Sequence, residues 1–140
     1  MPIADVARTD VMTAHRDQSA GNLATVMKEQ NVGSVLIESD NEPVGIVTDR
    51  DLVVDVLEPR ADPSEVTAAD IMSDTVATVY ETQGIFEVTA MMLGHSVRRL
   101  PVVAESGEIT GIVTLDDLML LLADEMSNLA GVIEAETPPY

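Results

Sequence analysis

Gly45-Ile46-Val47-Thr48-Asp49-Arg50-Asp51-Leu52 returns as Gly111-Ile112-Val113-Thr114-Leu115-Asp116-Asp117-Leu118, with six of eight positions identical. A repeat that long in a chain of 140 residues makes duplication the first fact about the architecture. It also sets the same hydroxyl and carboxylate, three residues apart, at two matching places. Alignment outward pairs Asp10-Val11-Met12-Thr13 with Asp70-Ile71-Met72-Ser73, and Met27 through Ile37 with Met92 through Val102. The separation is 60 residues at the first pair, 65 in the middle and 66 at the octapeptide, so the copies differ by small insertions. They run from Asp10 to Leu57 and from Asp70 to Met126. Each is about 50 residues, too few to complete a core alone, and the two are expected to pack into one body.

Local pattern gives βαββα, twice. In copy one, Asn22 to Gln30 carries Leu23, Val26 and Met27 at helical spacing. Val35-Leu36-Ile37 reads as a buried strand, Ser39 to Pro43 as a turn and Val44 to Val47 as the hairpin partner. A short helix over Asp49 to Leu57 follows, and Pro59 stops it. In copy two the helix is predicted at Gln83 to Leu93, the strands at Leu100 to Ala104 and Ile109 to Val113, and a last helix from Leu115 to about Glu134. Repeat 1 thus occupies 1–60 with its core at 10–57, and the proline-bearing stretch after Leu57 supplies a linker drawn at 61–66. Repeat 2 occupies 67–126, and 127–140 forms a helix end and a flexible tail. One asymmetry is predicted: Ser73 to Tyr80 alternates β-branched residues and reads as an extra leading strand, whereas copy one is five residues shorter there, its leading strand truncated or absent.

Composition bounds the function. Hydrophobic residues make up 46% of the chain but only Tyr80, Phe86 and Tyr140 are aromatic, so the core is aliphatic and the eight methionines are read as core filler. There is no cysteine, hence no disulfide or thiolate chemistry. No stretch is long and apolar enough for a membrane span and no signal peptide is recognised, so a cytoplasmic protein is expected. Twenty-five acidic residues against six arginines and Lys28 give a net charge of −18, which repels phosphate backbones and argues against nucleic acid. Such a surface is similar to that of proteins from salt-loving organisms, where concentrated cations screen the self-repulsion; an ordinary acidic protein is the alternative. No nucleophile elbow, P-loop, zinc-protease or dinucleotide motif is present, and an enzyme is not expected.

The Met-Thr or Met-Ser opening, the helix, a strand such as Arg98-Arg99-Leu100-Pro101-Val102-Val103, then Gly-Ile-Val-Thr-x-x-Asp-Leu and a helix, all in tandem, resemble a pair of cystathionine-β-synthase (CBS) domains. The resemblance covers nearly the whole chain. It implies an α+β fold in which two βαββα repeats pack through their sheets into one pseudo-twofold module, with ligand clefts between the halves. It further implies an adenosine-containing ligand (AMP, ADP, ATP or S-adenosylmethionine), no catalytic cofactor, a homodimer of flattened discs and a regulated partner protein.

The Thr-x-x-Asp pairs carry two readings. Ser/Thr-x-x-Asp/Glu is a helix capping pattern, and every helix start needs its first N–H groups satisfied. A carboxylate one turn beyond a strand's C-terminal rim also suits a ribose diol, and the hydroxyl suits a phosphate or ribose oxygen. Both can hold together, and the tandem favours ligand roles for Thr48, Asp51, Thr114 and Asp117. Arg98 and Arg99 enter a strand with their side chains on opposite faces, so one can reach phosphate while the other meets a carboxylate or solvent. Copy one has Gly33-Ser34 there, with Arg50 as a candidate substitute. The resemblance extends the expected lining to Ser73, Thr75, Val76, Pro101 and Ile112. The competent site is therefore expected in copy two, with Thr114, Asp117 and an arginine, and copy one is expected to be empty or to take a ligand without phosphates. His95 at a helix end complements the macrodipole, and His15 lacks partners for a metal site. Leu118, Leu121, Leu122, Met126 and Leu129 recur at near-heptad spacing, which suits internal packing or a dimer contact. The expected function is a stand-alone ligand-sensing regulatory module. The alternatives are an interaction or oligomerisation scaffold with vestigial clefts, and a divalent-cation or ionic-strength sensor.

Overall fold

The computed structural model describes all residues except Thr75 and Tyr140. Two three-stranded sheets carry the chain. In the first, β1 (Thr13–Ala14) runs parallel to β2 (Ser34–Ser39), which pairs antiparallel with β3 (Glu42–Thr48). In the second, β4 (Val79–Tyr80), β5 (Arg99–Val103) and β6 (Ile109–Thr114) repeat that order and sense. The helices are α1 (Ala20–Gln30), α2 (Asp49–Leu52), α3 (Ala68–Ile71), α4 (Ile85–His95) and α5 (Leu115–Glu136). Helix α2 continues as a π-helical turn over Val53–Leu57. This is the expected α+β pair of βαββα repeats.

Period-two alternation decides which face each strand gives to its helix. Val35, Ile37 and Val47 turn to Leu23 and Met27 of α1, while Leu100, Val102 and Val113 meet Val88 and Met92 of α4 and Leu118 of α5. Leu36 and Pro101, on the opposite faces, are also buried, as strands covered on both sides require. Ser19 caps α1 by accepting the Asn22 N–H at 3.1 Å, and Asn31 and Ser96 close α1 and α4 in the left-handed conformation.

Neither core is completed by its own repeat. Ile3, fully buried, sits in the core of repeat 2, held by backbone hydrogen bonds from Ile3 and Ala4 to the carbonyls of Gln83 and Glu81. Ala68, also fully buried, sits with Ile71 and Met72 in the core of repeat 1. Each leading segment then crosses the last strand of the opposite repeat. Arg8 and Ile112 exchange two backbone hydrogen bonds of 2.9 Å, and Ser73 and Ile46 exchange two of 3.0 and 3.1 Å.

Those crossings explain the glycine that opens each octapeptide. A Cβ on Gly111 would stand 2.7 Å from the Arg8 carbonyl oxygen, and one on Gly45 would run into the Met72 side chain. Only a residue without a side chain lets the crossing segment approach.

The predicted asymmetry of the leading strands is not found. Beta strands β1 and β4 are both two residues long, and Ala14 and Val79, the buried residue of each, lie 65 apart, as their partners Ile37 and Val102 do. Pairing Asp10–Thr13 with Asp70–Ser73 placed the two leading segments out of structural register. Among the described residues of the strand expected over 73–80, only Val79 and Tyr80 are in one, because Ser73 pairs with the other repeat instead. The end of the chain differs slightly: α5 continues to Glu136, two residues past the end predicted at about Glu134.

Gly111→Ala should lower stability by about 1–3 kcal/mol in denaturant melts, since backbone must yield to a new methyl group in a packed site. Gly45→Ala, which meets the bendable thioether of Met72, should cost less. Equal losses would show that the two crossings are equally stiff.

Candidate functional site

Both Thr-x-x-Asp motifs form capping boxes. Thr48, the last residue of β3, donates its N–H to Asp51 Oδ2 at 2.8 Å, and its hydroxyl accepts the Asp51 N–H at 3.2 Å. Thr114 and Asp117 repeat this at 3.3 and 3.1 Å. The strand-to-helix junction thus satisfies its orphan donors internally, leaving one carboxylate oxygen on each Asp.

Those second oxygens are treated differently. Asp117 Oδ1 accepts from Arg8 Nε at 3.0 Å and Nη2 at 2.7 Å. Asp51 Oδ1 has no such partner among the described residues. The Asp117 side chain is 11% exposed against 62% for Arg8. Burial alone would raise the Asp117 pKa, but the Arg8 hydrogen bonds, those from Thr114 and the Arg8 charge outweigh it and hold the carboxyl below its ordinary value.

Among the described residues, two clefts lie between the repeats, and each is built from both. The first, about 450 Å³, brings Thr48 and Arg50 of repeat 1 to Ser73, Val76, Arg98, Arg99 and Pro101 of repeat 2. The second, about 480 Å³, brings Thr114, Asp116 and Ile112 to Arg8, Asp10, Gly33 and Ser34, with Arg99 reaching it too. Neither capping carboxylate, Asp51 or Asp117, is a wall residue of these clefts, although Asp117 is bonded to the wall residue Arg8. Thr75 lies outside the described residues.

The expected constellation is therefore split. Arg98, Ser73, Val76 and Pro101 lie with Thr48 and not with Thr114, because each octapeptide faces across the interface into the other repeat. Arg98 forms a loose, exposed ion pair with Asp116 at 3.5 Å. Arg99 pairs in register with Thr114 across β5 and β6, and so stands between the clefts. Arg8 was not among the predicted site residues. It precedes the recognisable repeat, and its only advance signal was the scarcity of cations. His15 pairs with Glu38 at 3.3 Å, and no cluster of three or more metal-ligating side chains exists among the described residues, so the cation-sensor reading gains no site.

The CBS domain family model matches residues 3–58 and 68–124. An uncharacterized protein of Methanopyrus kandleri is 42% identical over 118 residues, 84% of this chain; the chain spans 60% of that protein's length. Hypoxic response protein 1 of Mycobacterium tuberculosis is 31% identical over 115 residues, 81% of this chain and 80% of that protein. Among solved structures, hypoxic response protein I with two coordinated zinc ions gives a TM-score of 0.75 at 30% identity, covering 85% of this chain and 97% of that one. The CBS domain pair of protein MJ0100, in complex with 5′-methylthioadenosine and S-adenosyl-L-methionine, gives 0.79 at 25% identity, covering 89% and 98%. No helix of the described residues is long and apolar enough to cross a membrane.

Because the folded-state pKa of Asp117 is depressed, the stability its ion pair adds is complete above the unfolded carboxylate pKa, about 3.9, and is lost as pH falls through the folded value. Arg8→Ala should cost about 0.5–1 kcal/mol at neutral pH, discounted for the exposed guanidinium. The variant and wild-type curves should converge below about pH 4. Urea melts across that range would reject the pairing if the gap stayed constant.

Proposed function

The chain belongs to the CBS domain family, and we propose that it is a ligand-sensing regulatory module whose first cleft, between Thr48 and Arg98–Pro101, binds an adenosine-containing ligand: AMP, ADP, ATP or S-adenosylmethionine. One observation carries the reading. Three of the six arginines of a chain with net charge −18, Arg50, Arg98 and Arg99, line this cleft beside one carboxylate, Asp49, Arg99 being shared with the second cleft. Self-repulsion makes the rest of such a surface hostile to anions, so concentrating guanidinium there creates a place for phosphate or a carboxylate.

The other walls suit the rest of such a ligand. Ile46, Val76, Ala77, Val97 and Pro101 give an apolar slot for a purine, and Thr48 and Ser73 supply hydroxyls at its polar end. Its volume lies within the roughly 300–1,000 Å³ usual for small-molecule sites. The ligands of the MJ0100 pair support the adenosyl class. The preference for the copy-two site is reversed on two grounds. Arg98 lines the first cleft, and Arg8, the cation that the second cleft has to itself, is already bonded to Asp117. A partner protein would read the bound state through the relative placement of the two repeats.

Thermal melts in high salt against AMP, ADP, ATP and S-adenosylmethionine test this. A true ligand at a hundredfold excess over its dissociation constant should add about 2.7 kcal/mol of stability. Arg98→Ala with Arg99→Ala should remove that gain and Arg8→Ala should leave most of it. No stabilisation across the panel would favour a scaffold with vestigial clefts, and a gain abolished only by Arg8→Ala would move the site to the second cleft.

A further inference from the structure

The duplication lets the walls of the two clefts be matched residue by residue. The stretch from Ser96 to Pro101 lines the first cleft, and the stretch 65 residues earlier, from Asn31 to Leu36, lines the second. Ser34 pairs with Thr48 across β2 and β3 as Arg99 pairs with Thr114 across β5 and β6. One pair of positions breaks the correspondence. Ser34 lines a single cleft, whereas Arg99 lines both. Alternation puts Arg99 and Pro101 on the face of β5 turned away from α4 and towards the other repeat, where a guanidinium on a long stem spans what a serine hydroxyl cannot.

The charges of the second cleft make that reach matter. Its other cation, Arg8, already donates two hydrogen bonds to Asp117 Oδ1, and its walls carry two further carboxylates, Asp10 and Asp116. Arg99 is half-buried and, among the described residues, makes neither an ion pair nor a side-chain hydrogen bond. It is therefore the cation of the second cleft that remains available to a ligand, and it stands beside Arg50 and Arg98 in the first. A guanidinium grips an anion bidentately through one planar fork of donors, so it cannot hold anions in separate clefts at the same time.

We propose that Arg99 is a shared arm for which the two clefts compete, so that an anionic group held in one weakens the binding of an anionic group in the other. The coupling rests on the first-cleft reading for the ligand that draws the arm. Its sign follows from what is left behind. With Arg99 drawn to the first cleft, Asp10 and Asp116 line the second without its charge. An anion that also takes Arg98 from its loose contact with Asp116, at 3.5 Å, leaves that carboxylate barer still. Both changes make the second cleft more negative. No existing pair of Arg99 has to break for the arm to move. The coupling is reciprocal, since whatever one ligand does to the other's affinity is done to its own by the same factor. Two matching octapeptides then yield one strong anion site per chain at a time.

A carboxylate built into the second cleft tests this without a second ligand. Ser34→Glu places one on that wall, and Ser34→Gln is its uncharged twin. At 1 M ionic strength the Debye length is about 3 Å, so plain repulsion between the clefts is screened. Under that condition Ser34→Glu should weaken whichever of AMP, ADP, ATP or S-adenosylmethionine binds the first cleft by about fivefold or more in isothermal titration calorimetry, and Ser34→Gln should not. In an Arg99→Ala background, which keeps Arg50 and Arg98, the two variants should bind alike. Equal affinities with Arg99 present, or the same loss without it, would overturn the shared arm and leave the first-cleft reading standing. A wild type that binds none of the four ligands would overturn both. Should Ser34→Glu not fold, pyrophosphate on the unaltered chain decides. Among the arginine Nε–H resonances, those of Arg50 and Arg98 report the first cleft and that of Arg8 the second. Pyrophosphate should reach Arg8 at a higher concentration when the first-cleft ligand is saturating than when it is absent, and an equal or lower concentration would refute the competition.

Discussion

The close crossing of each leading segment over the opposite octapeptide is the constraint on which the rest of the structure depends. Four backbone hydrogen bonds, between Arg8 and Ile112 and between Ser73 and Ile46, tie the repeats together at two related points. Each bond is individually modest, about 1 kcal/mol net. Their leverage comes from what they carry: Ile3 and Ala68 are delivered into the opposite cores, so neither repeat buries a full apolar centre by itself. A two-domain description would place a boundary in the linker, but the cores do not respect it.

The same exchange shapes the chemistry. Because each leading segment lies against the other repeat's last strand, the residues that follow the crossing become the far wall of the other repeat's cleft. Ser73 and Val76 therefore face Thr48, and Arg8 and Asp10 face Thr114. The sequences of the two leading segments differ, so the clefts differ although their octapeptides match. Arg8 spends its charge on Asp117, while the equivalent crossing in repeat 1 presents Ser73 and leaves Asp51 without a cation. Near-identical motifs thus acquire unlike electrostatics from their neighbours across the interface.

The duplication, the βαββα order and the aliphatic core were legible because they rest on local signals: repeated residues, helical spacing of Leu23, Val26 and Met27, and alternation in Val35 to Ile37. The capping boxes at Thr48 and Thr114 were legible for the same reason. What could not be read was which repeat a segment packs against. Nothing in the spacing of Ile3 or Ala68 says that each will be buried in the other half, nor that of the two candidate arginines Arg98 lines only the cleft of Thr48 while Arg99 also reaches that of Thr114. The leading-strand asymmetry failed through a similar route: Asp10–Thr13 resembles Asp70–Ser73, yet pairing with β2 and β5 makes Ala14 the counterpart of Val79 in the repeat. Tertiary pairing overrode a short sequence match.

Arg98 is where cleft and helix meet. Its carbonyl accepts the Leu115 N–H at 2.7 Å at the start of α5, its guanidinium lines the first cleft, and it reaches Asp116 only loosely, at 3.5 Å between exposed side chains. An exposed pair of that kind is worth about 0–1 kcal/mol, so an anion in the cleft competes for Arg98 at little cost. The backbone bond is a different matter, since it fixes where α5 begins. A ligand that recruits the Arg98 side chain therefore changes the charge beside the first turn of α5 without unseating the helix. Occupancy would then reach α5 as an electrostatic change at its first turn rather than as a refolding of either repeat.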